Sequence, residues 1–192
     1  MHKLWVFGCS HGSRDYNLLE TELSWPEIVA NDLGYTLSNQ CKSGYSNDEI
    51  FNEILHCYQE ITPNDLVLVQ FTHPERVVHD GTTMMPSDPA HNYWYKTVNS
   101  DDFYYNKFIQ MIAACGHLLS NTKYYISYVD PSLLIKKFTD SAVKKLAMDR
   151  AIIFPKLTLS KSFPLGIDNK HLSAAGNQKL ADCWINHLNR VK

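Results

Sequence analysis

The six residues Leu66–Phe71 (Leu-Val-Leu-Val-Gln-Phe) constrain the fold of this chain more than any other stretch. They form a nearly unbroken apolar run with no polar alternation, preceded by the turn signal Pro63-Asn64-Asp65. Such a run reads as a strand buried on both faces, the environment of a parallel sheet covered by helices. A shorter run at 4–7 ends at Gly8 and reads as a first buried strand. Segments with helical spacing lie between the strands. Ser24 and Pro26 open a helix over Trp25–Leu33 that Gly34 closes. Residues 35–37 suggest a second strand, and Ser46 or Asn47 caps a helix with Ile50, Ile54, Leu55 and Tyr58 on one face. Helical spacing returns over 103–119, followed by a tyrosine-rich strand at 123–129. A helix over 141–148, a short strand at 151–154 and an amphipathic helix over 172–191 complete the chain. This alternation predicts an α/β sandwich around a central parallel sheet.

The 192 residues fit one domain, 1–192, with neither an internal repeat nor a linker. Hydrophobic residues make up 44% and charged residues 20%, a globular composition. The net charge of −2 offers no electrostatic footprint for nucleic acid. No apolar run approaches the roughly 20 residues that span a bilayer, and the N-terminus lacks a signal-peptide pattern. The default compartment is therefore cytoplasmic, with a phage or other non-Sec route left open. The cysteines Cys9, Cys41, Cys57, Cys115 and Cys183 are odd in number and form no CxxC pair, so they read as small hydrophobes. Residues 74–101 lack a period and form a long loop insertion, of the kind that often serves as a lid or binding loop.

In a parallel α/β sheet, sites form at the carboxyl ends of strands. Ser10 lies just past the first strand, between Gly8 and Gly12. A serine hydroxyl needs a neighbouring base to act as a nucleophile. Taken alone, such a turn also suits an N-cap or a phosphate nest. Asp168 and His171 stand three positions apart before the last helix. At this spacing Asp168 can accept from one imidazole nitrogen and leave the other to face Ser10. Alternatively, Asp168 or Asn169 caps the helix and His171 is a surface residue.

The combination resembles the SGNH (GDSL-like) hydrolases over nearly the full length. Phe7-Gly-Cys-Ser-His-Gly12 is similar to the family's serine block, and Asn39-Gln-Cys-Lys-Ser-Gly-Tyr-Ser-Asn47 to its glycine block. Asp168-Asn-Lys-His-Leu-Ser173, with Ala174-Ala175-Gly176 following, matches its last block. The resemblance implies a three-layer α/β/α, flavodoxin-like sandwich with about five mainly parallel strands. It implies a serine esterase in which Ser10 attacks an ester carbonyl, His171 takes the proton and Asp168 orients His171. The backbone N–H groups of Ser10 and Gly44 would hold the oxyanion. The partner it implies is a small-molecule or carbohydrate ester, with O-acetyl groups on a sugar as the specific guess. No cofactor, metal, nucleic acid or membrane partner is expected.

The chain departs from the family at two places. Cys9 replaces the aspartate before the nucleophile, a position without a chemical role. The family's asparagine block falls at 69–75, where Gln70-Phe71-Thr72-His73-Pro74-Glu75 holds no asparagine. Thr72 or His73 is the expected replacement donor, with Gln70 a weaker candidate. Arg76 either anchors an anionic substrate or pairs with a carboxylate. His11, beside the nucleophile, is a candidate substrate contact without an assigned role. Tyr93 and Trp94, with Tyr95, either stack on a sugar, cover an acyl pocket or pack on the core. His73, His79, Asp80, Asp88 and His91 form a loose cluster without metal-ligand spacing. The competing reading is a non-catalytic SGNH-fold binding or structural protein that has lost the asparagine donor.

Overall fold

The computed structural model describes residues 2–14, 18–73, 75–84, 88–91, 101–129, 151–152, 163–166, 168 and 170–191, with backbone alone at 101–105 and 151–152. Five strands make the central sheet: β1 (Lys3–Gly8), β2 (Thr36–Asn39), β3 (Leu66–Phe71), β6 (Lys123–Tyr128) and β7 (Ala151–Ile152). Their spatial order is β2-β1-β3-β6-β7, and every pairing is parallel. The run that anchored the sequence reading is the central strand β3, and all six of its residues are buried.

Helices cover both faces, giving three α/β/α layers. On one face α1 (Trp25–Leu33) packs against α4 (Ala174–Arg190), with Trp25 and Trp184 stacked at 5.7 Å between centroids. On the other, α2 (Asn47–Cys57) neighbours α3 (Asp101–Leu118), whose Phe108 meets Phe71 edge-on at 5.3 Å. Both Trp25 and Trp184 are fully buried, and each such side chain contributes several kcal/mol of burial at about 25 cal/mol per Å².

The helix starts follow local chemistry. Glu27 accepts from both the backbone N–H and the hydroxyl of Ser24 at 2.7 Å, and Pro26 occupies the first turn. Ser46 and Glu49 form the reciprocal capping box that opens α2. Ser173, rather than Asp168 or Asn169, caps α4, its hydroxyl accepting from the Gly176 N–H at 3.2 Å. The Asp168 carboxylate is thereby left for other work.

Two differences from the sequence reading have physical causes. β2 extends through Ser38 and Asn39 because it is an edge strand, only partly buried, where polar side chains cost little. The segment 74–101 contains a small antiparallel hairpin, β4 (Val77–His79) with β5 (Thr82–Met84), and a turn of 3-10 helix at Pro89–His91. Three-residue strands are too short to show a period. The legible signal is the Asp80-Gly81 turn, with positive φ at both residues. Tyr93, Trp94, Tyr95 and the helix expected over 141–148 lie outside the described residues. Among the described residues no helix is long and apolar enough to cross a membrane.

Candidate active site

The parallel sheet brings the two ends of the chain together at the carboxyl edge of β1. Ser10 sits in a turn closed by the Gly12 N–H donating to the Cys9 carbonyl at 3.0 Å. Its Oγ lies 3.0 Å from Nε2 of His171, 161 positions away in sequence. The other imidazole nitrogen, Nδ1, is hydrogen-bonded to Asp168 Oδ2. The second oxygen of Asp168 accepts from the backbone N–H groups of Lys170 and His171, at 2.9 and 3.0 Å. The D-x-x-H spacing thus has a local explanation. One carboxylate oxygen folds the backbone into a turn, and that turn delivers the imidazole onto the other oxygen. With Nδ1–H directed at Asp168, the lone pair of Nε2 faces the serine hydroxyl. An imidazole held this way can take the Ser10 proton, and the neighbouring carboxylate stabilises the resulting cation.

The 163–173 loop is itself anchored. Gly166 N–H donates to the His171 carbonyl at 2.8 Å, and Ser173 N–H to the Pro164 carbonyl at 3.1 Å. Leu165 and Leu172 form an antiparallel bridge. Asn177 joins this loop to α1, because its side chain accepts from the Trp25 N–H at 2.9 Å and donates to the Ser173 carbonyl at 3.0 Å.

The glycine block lies alongside the serine turn. Gln40 and Lys42 donate from their backbones to the Val6 and Gly8 carbonyls, at 2.8 and 3.2 Å. Asn39 clamps the two loops, donating to the Gly12 carbonyl at 2.9 Å and accepting from the Cys41 N–H at 3.0 Å. A Cβ on Gly12 would stand 2.5 Å from Cys41 Sγ, so only glycine permits this approach. Gly44 has φ of 80°, the left-handed region that favours glycine, and turns the chain into α2. Burial, and secondarily Cys9, push the Cys41 thiol well above its ordinary range, so Cys41 is no thiolate nucleophile.

Where the family asparagine is missing, a different asparagine shapes the end of β3. Asn47 is buried at the start of α2. Its Oδ1 accepts from Thr72 N–H at 2.8 Å, and its Nδ2 donates to the Thr72 and His73 carbonyls at 3.3 and 3.4 Å. Thr72 is buried and His73 half-buried, both held by this amide. Gln70 lies further back, fully buried on β3 between Gly8 and Ser127, and its amide has no partner among the described residues. Sequence reading treated Asn47 as a possible cap, because an amide's link to a loop 25 residues away leaves no local signature. Replacing Asn47 by alanine strands a buried N–H and loosens two carbonyls. It is expected to lower stability by about 1–3 kcal/mol and, under the ester hydrolysis proposed below, to reduce turnover about tenfold, read by urea denaturation and steady-state kinetics. Wild-type behaviour in both would remove the assigned role.

His11 is buried against the site, its ring 5.7 Å from that of His171. Its Nδ1 has no partner among the described residues. Burial chiefly, then the nearby His171, His73 and Arg76, push its pKa from 6.5 down to about 3. The unfolded chain therefore binds a proton at His11 before the folded chain does. Stability from neutral His11 is full above about pH 6.5 and is lost as pH falls toward 3. Between pH 7 and 4.5 this loss is about 2–3 kcal/mol. The urea midpoint of the wild type should fall further over that interval than that of His11→Gln. Parallel declines would contradict it.

Arg76 donates from Nη1 to the Tyr45 carbonyl at 3.2 Å. Among the described residues no carboxylate pairs with it, so the second of its two expected roles is not the one observed. His79–Asp80 and His91–Asp88 are separate pairs at 3.7 Å, and among the described residues no three His, Cys, Asp or Glu side chains are grouped as a metal site would require.

The sequence matches no family model and no curated protein. Its similarity is in three dimensions. The psychrotrophic esterase EstA of Pseudoalteromonas sp. superposes with a TM-score of 0.60 at 11% identity, covering 100% of this chain and 98% of that one. A member of the lipolytic G-D-S-L family from Veillonella parvula gives 0.57 at 13% identity, covering 99% and 100%. The fold is that of the SGNH hydrolases. A carbohydrate esterase, described as having an active site with divergent catalytic and non-catalytic binding functions, gives 0.59 at 11% identity over 98% of this chain and 68% of that chain. Neighbours that share this SGNH fold include proteins described as esterases, lipases and acylhydrolases.

Proposed function

We propose that residues 1–192 form one domain that acts as an SGNH-type serine esterase on carboxylic esters. The single observation that carries this reading is the contact of Ser10 Oγ with His171 Nε2 at 3.0 Å, while Asp168 holds Nδ1. In the first step Ser10 Oγ bonds to the ester carbonyl carbon as its proton passes to His171 Nε2. The tetrahedral oxyanion is held by the N–H groups of Ser10 and Gly44, with Thr72 or His73 as a third donor. Each such donor typically contributes about 3–4 kcal/mol to the barrier. Collapse breaks the bond to the alcohol oxygen, which leaves with the proton from His171. Water then attacks the acyl-serine with His171 again as base, releasing the acid and restoring Ser10. An O-acetylated carbohydrate is the favoured substrate class, by analogy with the carbohydrate esterase that shares the fold.

The decisive experiment is covalent labelling with a fluorophosphonate. The intact protein should be labelled at Ser10, and Ser10→Ala should not. A second reading, a binding protein without turnover, is favoured by one observation: the backbone N–H of Thr72, one of the two candidate third donors, is already taken by Asn47. Absence of labelling on folded protein decides for that second reading.

A further inference from the structure

The hydrolytic chemistry leaves Arg76 without a task. Arg76 follows β3 on a turn closed by its own N–H donating to the His73 carbonyl at 3.1 Å. The bond from Nη1 to the Tyr45 carbonyl ties its guanidinium to the residue next to Gly44, on the oxyanion side of the site. Its charge also reaches His11, the neighbour of Ser10. The group is half-buried, yet among the described residues no carboxylate neutralises it.

The carboxylates on surrounding elements are engaged elsewhere. Asp168 is spent on His171 and two backbone N–H groups. Glu49 caps α2 and accepts from Thr83 Oγ1 at 3.1 Å, and Asp48 pairs with Lys107 at 2.8 Å. A guanidinium tied by one nitrogen keeps the rest of its planar fork for an oxyanion, and a half-buried cation gains from being paired. Among the described residues the nearby lysines are already paired, Lys42 with Glu53 and Lys107 with Asp48. His11 is held neutral, and the α2 N-terminus already carries the Glu49 carboxylate. A monoanion is matched by this single guanidinium.

We infer that Arg76 anchors a carboxylate borne by the substrate, so that the site selects carboxylate-bearing esters over neutral ones. This assignment rests on reading the site as an ester hydrolase. Its test is binding without turnover. Monomethyl succinate and neutral dimethyl succinate are titrated by NMR into Ser10→Ala protein and into the same protein carrying Arg76→Ala. The expected result is a preference of about ten- to a hundredfold for the monoester with Arg76 present, collapsing to within about threefold without it. If the alanine variant does not fold, Arg76→Gln, which retains a donor for the Tyr45 carbonyl, carries the same comparison. Equal binding of the two esters overturns the assignment, as does a preference that survives loss of Arg76. An Arg76-dependent preference for methyl phosphate over monomethyl succinate overturns the choice of carboxylate. Fluorophosphonate labelling separates the two ideas. Labelling without a charge preference sinks the anchor, and a charge preference without labelling sinks the hydrolase.

Discussion

Ser10→Ala is expected to lower kcat/KM for p-nitrophenyl acetate by about 10⁴-fold or more, with folding unchanged. His171→Ala should cost about as much, and the double variant little more, because nucleophile and base act as one unit. The magnitude follows from what each change removes. Without the hydroxyl no acyl-enzyme forms, and only water remains as attacking group. Without the imidazole, the serine proton has no acceptor within hydrogen-bond reach, since Nε2 at 3.0 Å is the partner the structure provides. Asp168→Asn offers a finer test. It can still pack in place and accept from the Lys170 and His171 N–H groups, but no longer provides a charged acceptor for Nδ1–H. A fall of about 10⁴-fold with stability largely kept is the expected outcome, through loss of the productive tautomer. Rates for Ser10→Ala equal to those of the wild type would exclude the proposed chemistry outright.

The second large effect is structural and acts on the same loop. Gly176 lies in the first turn of α4, and a Cβ built there would stand 2.1 Å from the Pro164 carbonyl oxygen and 3.2 Å from Leu172. Helix propensity alone would make Gly176→Ala stabilising by about 1 kcal/mol. Steric overlap opposes it. Overpacking typically costs about 1–3 kcal/mol and more when backbone must move, and here the obstructing atom is backbone. The Pro164 carbonyl also accepts from the Ser173 N–H and hydroxyl, so displacing it disturbs the cap of α4 together with the loop carrying Asp168 and His171. A net loss of about 2 kcal/mol should accompany a fall in turnover of about tenfold or more. Urea denaturation and kinetics on one preparation measure both. A variant more stable than the wild type would show that the loop yields freely, against this account.

The parts of the fold that were legible in sequence are those whose signal is local and long. Leu66–Phe71 declared a buried strand because five of its six side chains are apolar without alternation, and Trp25–Leu33 carried both a start and a stop. The edge strand β2 and the hairpin at 77–84 were hard to read, because partial burial and three-residue strands leave no period. At the site, Asp168 and His171 were readable because their interaction is closed within one turn. Ser10 was readable because an apolar strand followed by glycines positions it. Asn39 and Asn47 were not, since their amides bond to Gly12 and Thr72, residues far away in sequence. The burial of His11 was equally hidden, because no single neighbour in sequence produces it. For Arg76 the sequence left two partners open, and only the spatial arrangement of acidic groups distinguishes them.

The separation of Ser10 from His171 also bears on how the protein is made. At ribosomal speeds, roughly 10–30 s pass between synthesis of the first and of the second. Through that interval the emerging chain holds a serine without a base and an α1 face whose Trp25 lacks its stacking partner Trp184. A product that stops before Asp168 therefore lacks Asp168, His171 and half of one covering layer at once. Under the proposed chemistry, reactivity at Ser10 accordingly requires synthesis through His171, and an active-site probe would pass over every molecule truncated before that residue.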